Sequence, residues 1–409
     1  MAIDLNGKHL AALQTLCEGI DGDYPTAQRA HIDAVARSIA GIHHRYIDKG
    51  TAEDIVEREL NEIIAERALR GEKTVPYDDQ TLPVLRHAYF HRMKSMVENL
   101  PFTYRLRIEL PSFPWLGQSA FSITDNITLV QGSHDFDGPR SGPADGLPPF
   151  EAPQASYLEI QTMGYATQFL DSPALAEALS VAKRCAFLLS ASGTFIEKLT
   201  LRKARCTLLS SQGQVYRVEA PRSLGHCFGR LTPDPLKLVR TVVDNDSPAA
   251  MLGSVLELAA QTDDQKRSAV QHQFKVLLRF FAKDGHPDFA SISAAMEWYH
   301  DSVYADNQTF SYLAACIGLE ALLGSDDFMD DMSNRLADRY GFLLGRSRQE
   351  REELAGQYRK VLKVRGKLVH AKVARLSSED KPYLARAQQL LLDALGKELD
   401  RILGGDSKN

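Results

Sequence analysis

Apolar residues in the first hundred positions recur at helical spacing. From Asp54 to Ile64, the residues Ile55, Val56, Leu60, Ile63 and Ile64 gather close to one face, which predicts an amphipathic helix. The period changes between Pro101 and Pro111. There Tyr104, Leu106, Ile108 and Leu110 alternate with Arg105, Arg107 and Glu109, the two-residue repeat of a strand with one solvated face. Further strands are expected around residues 121–130 and 157–163. Residues 131–155 between them hold many Gly and Pro, as in Gly138-Pro139 and Leu147-Pro148-Pro149, and predict a surface loop. A helix is expected over 172–189 with Pro173 in its first turn. A strand pair over 203–209 and 215–219 then flanks Ser210-Ser211-Gln212-Gly213-Gln214, a hairpin loop.

Beyond Pro233, Pro235 and Pro248 the pattern is helical to the end. Ile292, Met296, Tyr299 and Val303 make one stripe, with Asp288 as its expected N-cap. Asn307 is placed to cap the next helix, whose expected buried stripe is Phe310, Leu313, Ala314, Ile317 and Ala321, closing at Gly324. Ser333 is the expected cap of a third helix carrying Leu336, Tyr340, Leu343 and Leu344, and Ser347 of a long fourth reaching about His370. A last helix runs from about Pro382 to Leu403. The fold class this predicts is a multidomain α+β protein. A helical N-terminal region (1–100) precedes a β-rich or mixed α/β recognition or regulatory region (101–245), and an all-α bundle (250–405) follows.

Composition changes this picture little. The 409 residues exceed one ordinary core, and 44% apolar with 25% charged residues is a globular balance. The acidic start reads as no signal peptide, and no uncharged apolar stretch reaches spanning length, so no membrane segment is expected. Five scattered cysteines without a CxxC pair indicate neither zinc ribbon nor disulfide framework and fit a reducing cytoplasm. The net charge of −5 is unevenly spread: Arg335 to Arg375 holds twelve Lys or Arg against four Asp or Glu, a basic face able to attract phosphate.

Two charges sit badly with the helical pattern. Arg365 continues the fourth helix's buried line of Leu354, Tyr358 and Val361, and Glu320 lies within the apolar run Leu319-Glu320-Ala321-Leu322-Leu323. A guanidinium or carboxylate facing a core is costly unless paired, so a Glu320–Arg365 contact between these helices is expected. By itself such a contact is either a structural ion pair or part of a functional site.

Three segments together carry a resemblance. They are Gly318-Leu319-Glu320-Ala321-Leu322-Leu323-Gly324, then Arg335-Leu336-Ala337-Asp338-Arg339-Tyr340-Gly341-Phe342-Leu343-Leu344-Gly345, then Tyr358 with Arg365-Gly366-Lys367-Leu368-Val369-His370. In order and spacing they resemble the Apea-like branch of HEPN domains, whose arginine is followed after four to six residues by a histidine. Four residues separate Arg365 from His370. Gly366 departs from the family, which often carries a polar residue straight after the arginine. The resemblance covers about residues 250–405.

It implies an endoribonuclease without metal or cofactor, in which His370 is the general acid or base and Arg365 clamps the phosphate. Glu320 would orient Arg365 or share proton traffic. Imidazole titrates near neutral pH, and a guanidinium presents fixed charge to a developing phosphorane. The implied RNA contacts are Arg339, Lys363, Lys367, Lys372 and Tyr358. The nucleophile would be the RNA's own 2′-hydroxyl. Arg365 and His370 differ by about 140° around an ideal helix, and the resemblance implies a homodimer with the two motifs facing across a shared cleft. It further implies a toxin or antiviral-defence role on tRNA or message, with a regulatory or phage-derived trigger. The rival expectation is a non-catalytic HEPN module that binds RNA or nucleotide as a sensor or assembly part, and a weaker third is a structural adaptor.

Other motifs point to less. His87 and His91 stand at i and i+4, a zinc-pair spacing, without an acidic third ligand at the expected distance. Cys206, His226 and Cys227 would cluster only if their strands pair, and Phe102, Tyr104 and Phe113 are as well explained by sheet core as by base stacking. Gly-Lys phosphate loops and the GxGxxG fingerprint are absent from the sequence.

Overall fold

The computed structural model describes residues 5–20, 29–43, 47–71, 78–110, 120–132, 155–166, 172–191, 195–197, 206–211, 215–217, 231–233, 274–324, 332–370 and 373–404. The chain divides into two compact units, neither of them contiguous. The first holds Met1–Leu106, Gln161–Ala178 and Thr207–Val218; the second holds Arg107–Ile160, Leu179–Cys206 and Glu219–Asn409. Among the described residues no helix is long and apolar enough to cross a membrane.

In the first unit four helices pack in sequence: α1 (Gly7–Glu18), α2 (Arg29–His43), α3 (Lys49–Leu69) and α4 (Thr81–Asn99). Asn6 caps α1 by accepting the N–H groups of Lys8 and His9, and Asp48 caps α3 by accepting that of Thr51. Of the expected stripe of α3, Ile55, Val56, Leu60 and Ile63 are buried and Ile64 is half-buried. Tyr89 on α4 is fully buried and donates to the Val56 carbonyl at 2.6 Å, so the hydroxyl it carries into the core is satisfied.

The strands form a six-stranded sheet in the order β2-β3-β4-β1-β6-β7. They are β1 (Phe102–Leu110), β2 (Phe121–Thr124), β3 (Ile127–Gly132), β4 (Ala155–Gly164), β6 (Cys206–Ser210) and β7 (Val215–Arg217); β5 (Phe195–Glu197) and β8 (Leu231–Pro233) make a separate antiparallel pair. On β1 the alternation holds, with Phe102, Tyr104, Leu106, Ile108 and Leu110 buried; Glu109, expected on the wet face, is buried too. The single strand expected over 121–130 is instead a hairpin, β2 and β3 turning at Asp125-Asn126. Asp and Asn are turn-favouring residue types that interrupt the run, and the Asn126 N–H donates to the Thr124 hydroxyl at 3.2 Å. Of the loop expected over 131–155, residues 133–154 lie outside the described residues, as do 234–273, Phe113, His226 and Cys227.

Helix α5 (Pro173–Ala191) follows Ser172 as expected. Its second part belongs to the second unit, where Ser180 and Lys183 bond Glu297 (2.6 Å) and Asp301 (2.8 Å) of α7. That unit's helices are α6 (Lys275–Phe281), α7 (Phe289–Tyr304), α8 (Gln308–Leu323), α9 (Met332–Leu344), α10 (Arg348–Val369) and α11 (Pro382–Gly404). Helices α7 and α8 pack as a hairpin, α9 and α10 as another, and α11 touches all four. Ser302 and Ser311 exchange hydrogen bonds with each other's carbonyls across the first hairpin, and Gln388 of α11 donates to the Ser302 carbonyl at 3.1 Å.

The end signals are mixed. Asn307 caps α8 through Thr309 and Phe310, Gly324 closes it, and Ser347 caps α10. Asp288 precedes α7 but makes no side-chain cap; its carboxylate pairs with Arg401 at 2.6 Å. Ser333 lies inside α9, which begins at Met332. On α8 the buried face is Tyr312, Ala315, Cys316 and Leu319 with Ala314, whereas Phe310 and Ile317, expected inside, are 49% and 36% exposed. On α7, Val303 is likewise 39% exposed.

Two glycines of the quoted segments have a packing reason. A Cβ on Gly318 would lie 2.6 Å from the Leu391 side chain of α11 and 3.1 Å from Trp298 of α7; one on Gly341 would lie 2.7 Å from the Arg351 carbonyl of α10. At Gly341 the obstacle is backbone and admits no side chain, whereas at Gly318 the nearest atom is the tip of a leucine side chain, which would have to shift.

Candidate functional site

Glu320 sits on the last turn of α8 and Arg365 near the end of α10. They meet as expected: Arg365 Nη2 donates to Glu320 Oε2 at 3.0 Å, with 32% of the arginine side chain and 21% of the glutamate side chain exposed. Arg365 does not lie on the core line itself. That position is Val364, and the guanidinium leaves the core edge towards the carboxylate. Burial raises the Glu320 carboxyl above its ordinary value, against the lowering pull of Arg365.

The floor beneath the pair is buried. Cys316, one turn before Glu320, is buried, and burial pushes its thiol up to about 12, which leaves it inert as a nucleophile. Tyr312 donates to the Val361 carbonyl at 2.6 Å. Tyr358 is fully buried, with its ring 5.4 Å from that of Tyr340. Its hydroxyl, and that of Tyr340, has no hydrogen-bond partner among the described residues. Burial, with Glu320 and Cys316 adding to it, raises the Tyr358 phenol well above its usual value. The expected RNA contact at Tyr358 is corrected on this point: a fully buried ring cannot stack on a base.

The remaining residues scatter. His370 follows α10, exposed, with its backbone N–H bonded to the Gly366 carbonyl at 3.1 Å; its imidazole makes no hydrogen bond or ion pair among the described residues. Arg339 donates to the Leu323 carbonyl at 2.6 Å and so satisfies an orphan acceptor at the end of α8. Lys367 holds Asp380 at 3.2 Å through both carboxylate oxygens, and Ser377 donates to the same carboxylate. That leaves Lys367 less available to phosphate. Lys363 is exposed, and Lys372 lies outside the described residues. Around Gly366 a Cβ would meet nothing within 4 Å, so a side chain there has room.

Sequence reasoning missed Cys316, Tyr312 and Asp380. It also missed Phe342, which is 66% exposed with the Arg351 guanidinium 4.7 Å over its ring. Cys316 stands four residues before Glu320, so helical spacing was the available signal. His87 and His91 lie edge to face at 4.3 Å, but no group of metal-binding residues exists among the described residues. No protein-family model, curated protein or solved structure matches the chain.

Proposed function

We propose that this protein is a HEPN-type endoribonuclease that cleaves RNA without a metal, through attack of the substrate's own 2′-hydroxyl. The observation that carries the reading is the Glu320–Arg365 pair, which joins two of the three segments behind the family resemblance in a partly exposed position. Arg365 has five N–H donors, and among the described residues its guanidinium meets one carboxylate. The others can bind the two non-bridging oxygens of a phosphate and stabilise the charge that grows on them. Glu320 holds the guanidinium in place as a positioning residue. His370 moves the proton, taking it from the 2′-hydroxyl or giving it to the leaving 5′-oxygen.

In this reading the active form is a homodimer. Phe310, Leu313 and Ile317 share a face of α8 with Glu320, spanning about 80° on an ideal helix, and the exposed apolar positions on it suit a two-fold contact. By the family resemblance, Arg365 of one protomer would then face His370 of the partner subunit. The setting is a cytoplasmic toxin or antiviral-defence system acting on tRNA or message, with the N-terminal half answering a phage-derived or other trigger.

Purified protein incubated with end-labelled tRNA and EDTA tests this. Expected are products ending in 2′,3′-cyclic phosphate and 5′-hydroxyl, lost in Arg365→Ala and His370→Ala, and no cutting of DNA. The alternative, a non-catalytic module that binds RNA or nucleotide, draws support from the exposed His370 imidazole, which bonds neither Arg365 nor Glu320. RNA bound but left whole, by the full chain and by a chain lacking the N-terminal half, decides for it.

A further inference from the structure

The first unit contains a cleft of about 360 Å³ between α3, α4 and the start of β1. Small-molecule sites occupy roughly 300–1,000 Å³, so the volume is sufficient for one small ligand. Its polar wall is Arg58, Glu59 and Glu62 from α3 with Arg92, Ser95 and Asn99 from α4. Tyr104 and Tyr165, both buried, lie at its floor, and the Arg58 guanidinium lies 5.6 Å over the Tyr165 ring.

The charges of this wall are matched. Arg58 Nε bonds Glu62 at 2.7 Å, and Arg92 bonds Glu59 at 2.6 Å and Glu62 at 2.7 Å. Each arginine of the wall is thus paired with a carboxylate of the wall, and Arg92 also reaches Glu66 at 2.7 Å, so neither presents an unanswered positive charge to the cleft. A phosphate would meet arginines already committed to carboxylates and be repelled by Glu59 and Glu62. An ammonium would meet the reverse. A neutral ligand escapes both penalties.

The wall also offers hydrogen bonds in both senses. Three of the five N–H donors of Arg92 are used among the described residues. Asn99 donates to the Ser95 carbonyl at 2.7 Å, while its amide oxygen accepts nothing among the described residues. Tyr165 is 3% exposed, and its hydroxyl has no hydrogen-bond partner among the described residues. Guanidinium planes at the wall suit a flat ring.

We propose that this cleft binds a small neutral ring compound with donors and acceptors along its edge, the class to which unphosphorylated nucleosides belong. Arg92 and Asn99 read the ring edge, and the Ser95 hydroxyl meets the sugar. The site lies wholly within the first unit and does not depend on the ribonuclease reading.

Isothermal titration of the full chain with adenosine, guanosine, cytidine and uridine, with their 5′-monophosphates, and with choline tests it. At least one nucleoside is expected to bind, and its monophosphate to bind about tenfold more weakly or worse. Ser95→Trp, at an exposed position of α4, fills the cleft; it is expected to abolish that binding with an unchanged melting temperature. Asn99→Leu is the second variant should Ser95→Trp fail to fold. Arg365→Ala is expected to bind the nucleoside as the unaltered chain does, whatever its effect on RNA. The proposal is overturned if no nucleoside binds, if a monophosphate or choline binds as tightly, or if a folded cleft variant keeps full affinity.

Discussion

Arg92 in the first unit and Arg365 in the second are both helical arginines with about equal exposure, 28% and 32% of the side chain. Their surroundings differ. Arg92 touches Glu59, Glu62 and Glu66, which succeed one another on α3 at spacings of three and four and therefore share a face. Arg365 touches Glu320. An arginine enclosed by three carboxylates has its charge more than answered and serves to hold helices together. One met by a single carboxylate at the bundle's edge keeps capacity for an anion from outside. The number of partners, more than exposure, separates a structural arginine from a candidate for phosphate.

The sharpest way to break this comparison is to remove each guanidinium in turn. Arg92→Met leaves the buried Glu59 carboxylate unpaired and is expected to destabilise the protein by about 3–5 kcal/mol. Arg365→Met breaks a partly exposed pair and is expected to cost about 1 kcal/mol or less, while RNA cleavage disappears. Denaturant melts of both variants measure the contrast; equal losses of stability would erase the distinction. Next in size is Ile317→Asp, which places a charge on the exposed α8 face. Analytical ultracentrifugation is expected to show a shift from dimer to monomer with little change in melting.

Smaller effects sharpen the same picture. Gly366 lies inside α10 with open space around it, so Gly366→Ala is expected to stabilise by roughly 0.5–1 kcal/mol. A gain well below that would mean that α10 frays at this end. Last is a pH effect at Glu320. Its native carboxyl is raised above 4.5, so the folded chain holds that proton more tightly than the unfolded chain. Protonation of this group therefore favours the fold. Its contribution grows as pH falls from above the native value to below 4.5, and the ionised form weighs against the fold at higher pH. Carbon-13 titration of the Glu320 carboxyl reads this directly and is expected to give a midpoint above 4.5.

Much of the site was legible in the sequence because it was written as an anomaly. A glutamate in an apolar run and an arginine close to a buried line each needed a partner, and each was the other's nearest remedy. Caps at Asn307 and Ser347 were legible as well, but the same signal failed at Asp288, which pairs with Arg401, and at Ser333, which lies inside α9. The face of α8 was not legible. Nearly every position from Phe310 to Leu323 is apolar, so a stripe through Phe310 and Ile317 fits the period as well as one through Tyr312, Cys316 and Leu319. The placement of His370 was half legible. Spacing gave its angle from Arg365, but spacing could not say that the helix ends there and leaves the ring in solvent.

The seat of Gly318 has a mechanical consequence. With Leu391 and Trp298 close to where a Cβ would stand, α8 is packed tightly on α11 and α7 at this turn. Glu320, two residues further on, rises from that closely packed turn. A substitution as small as Gly318→Ala would therefore disturb the seat of the glutamate before it touched a single charge.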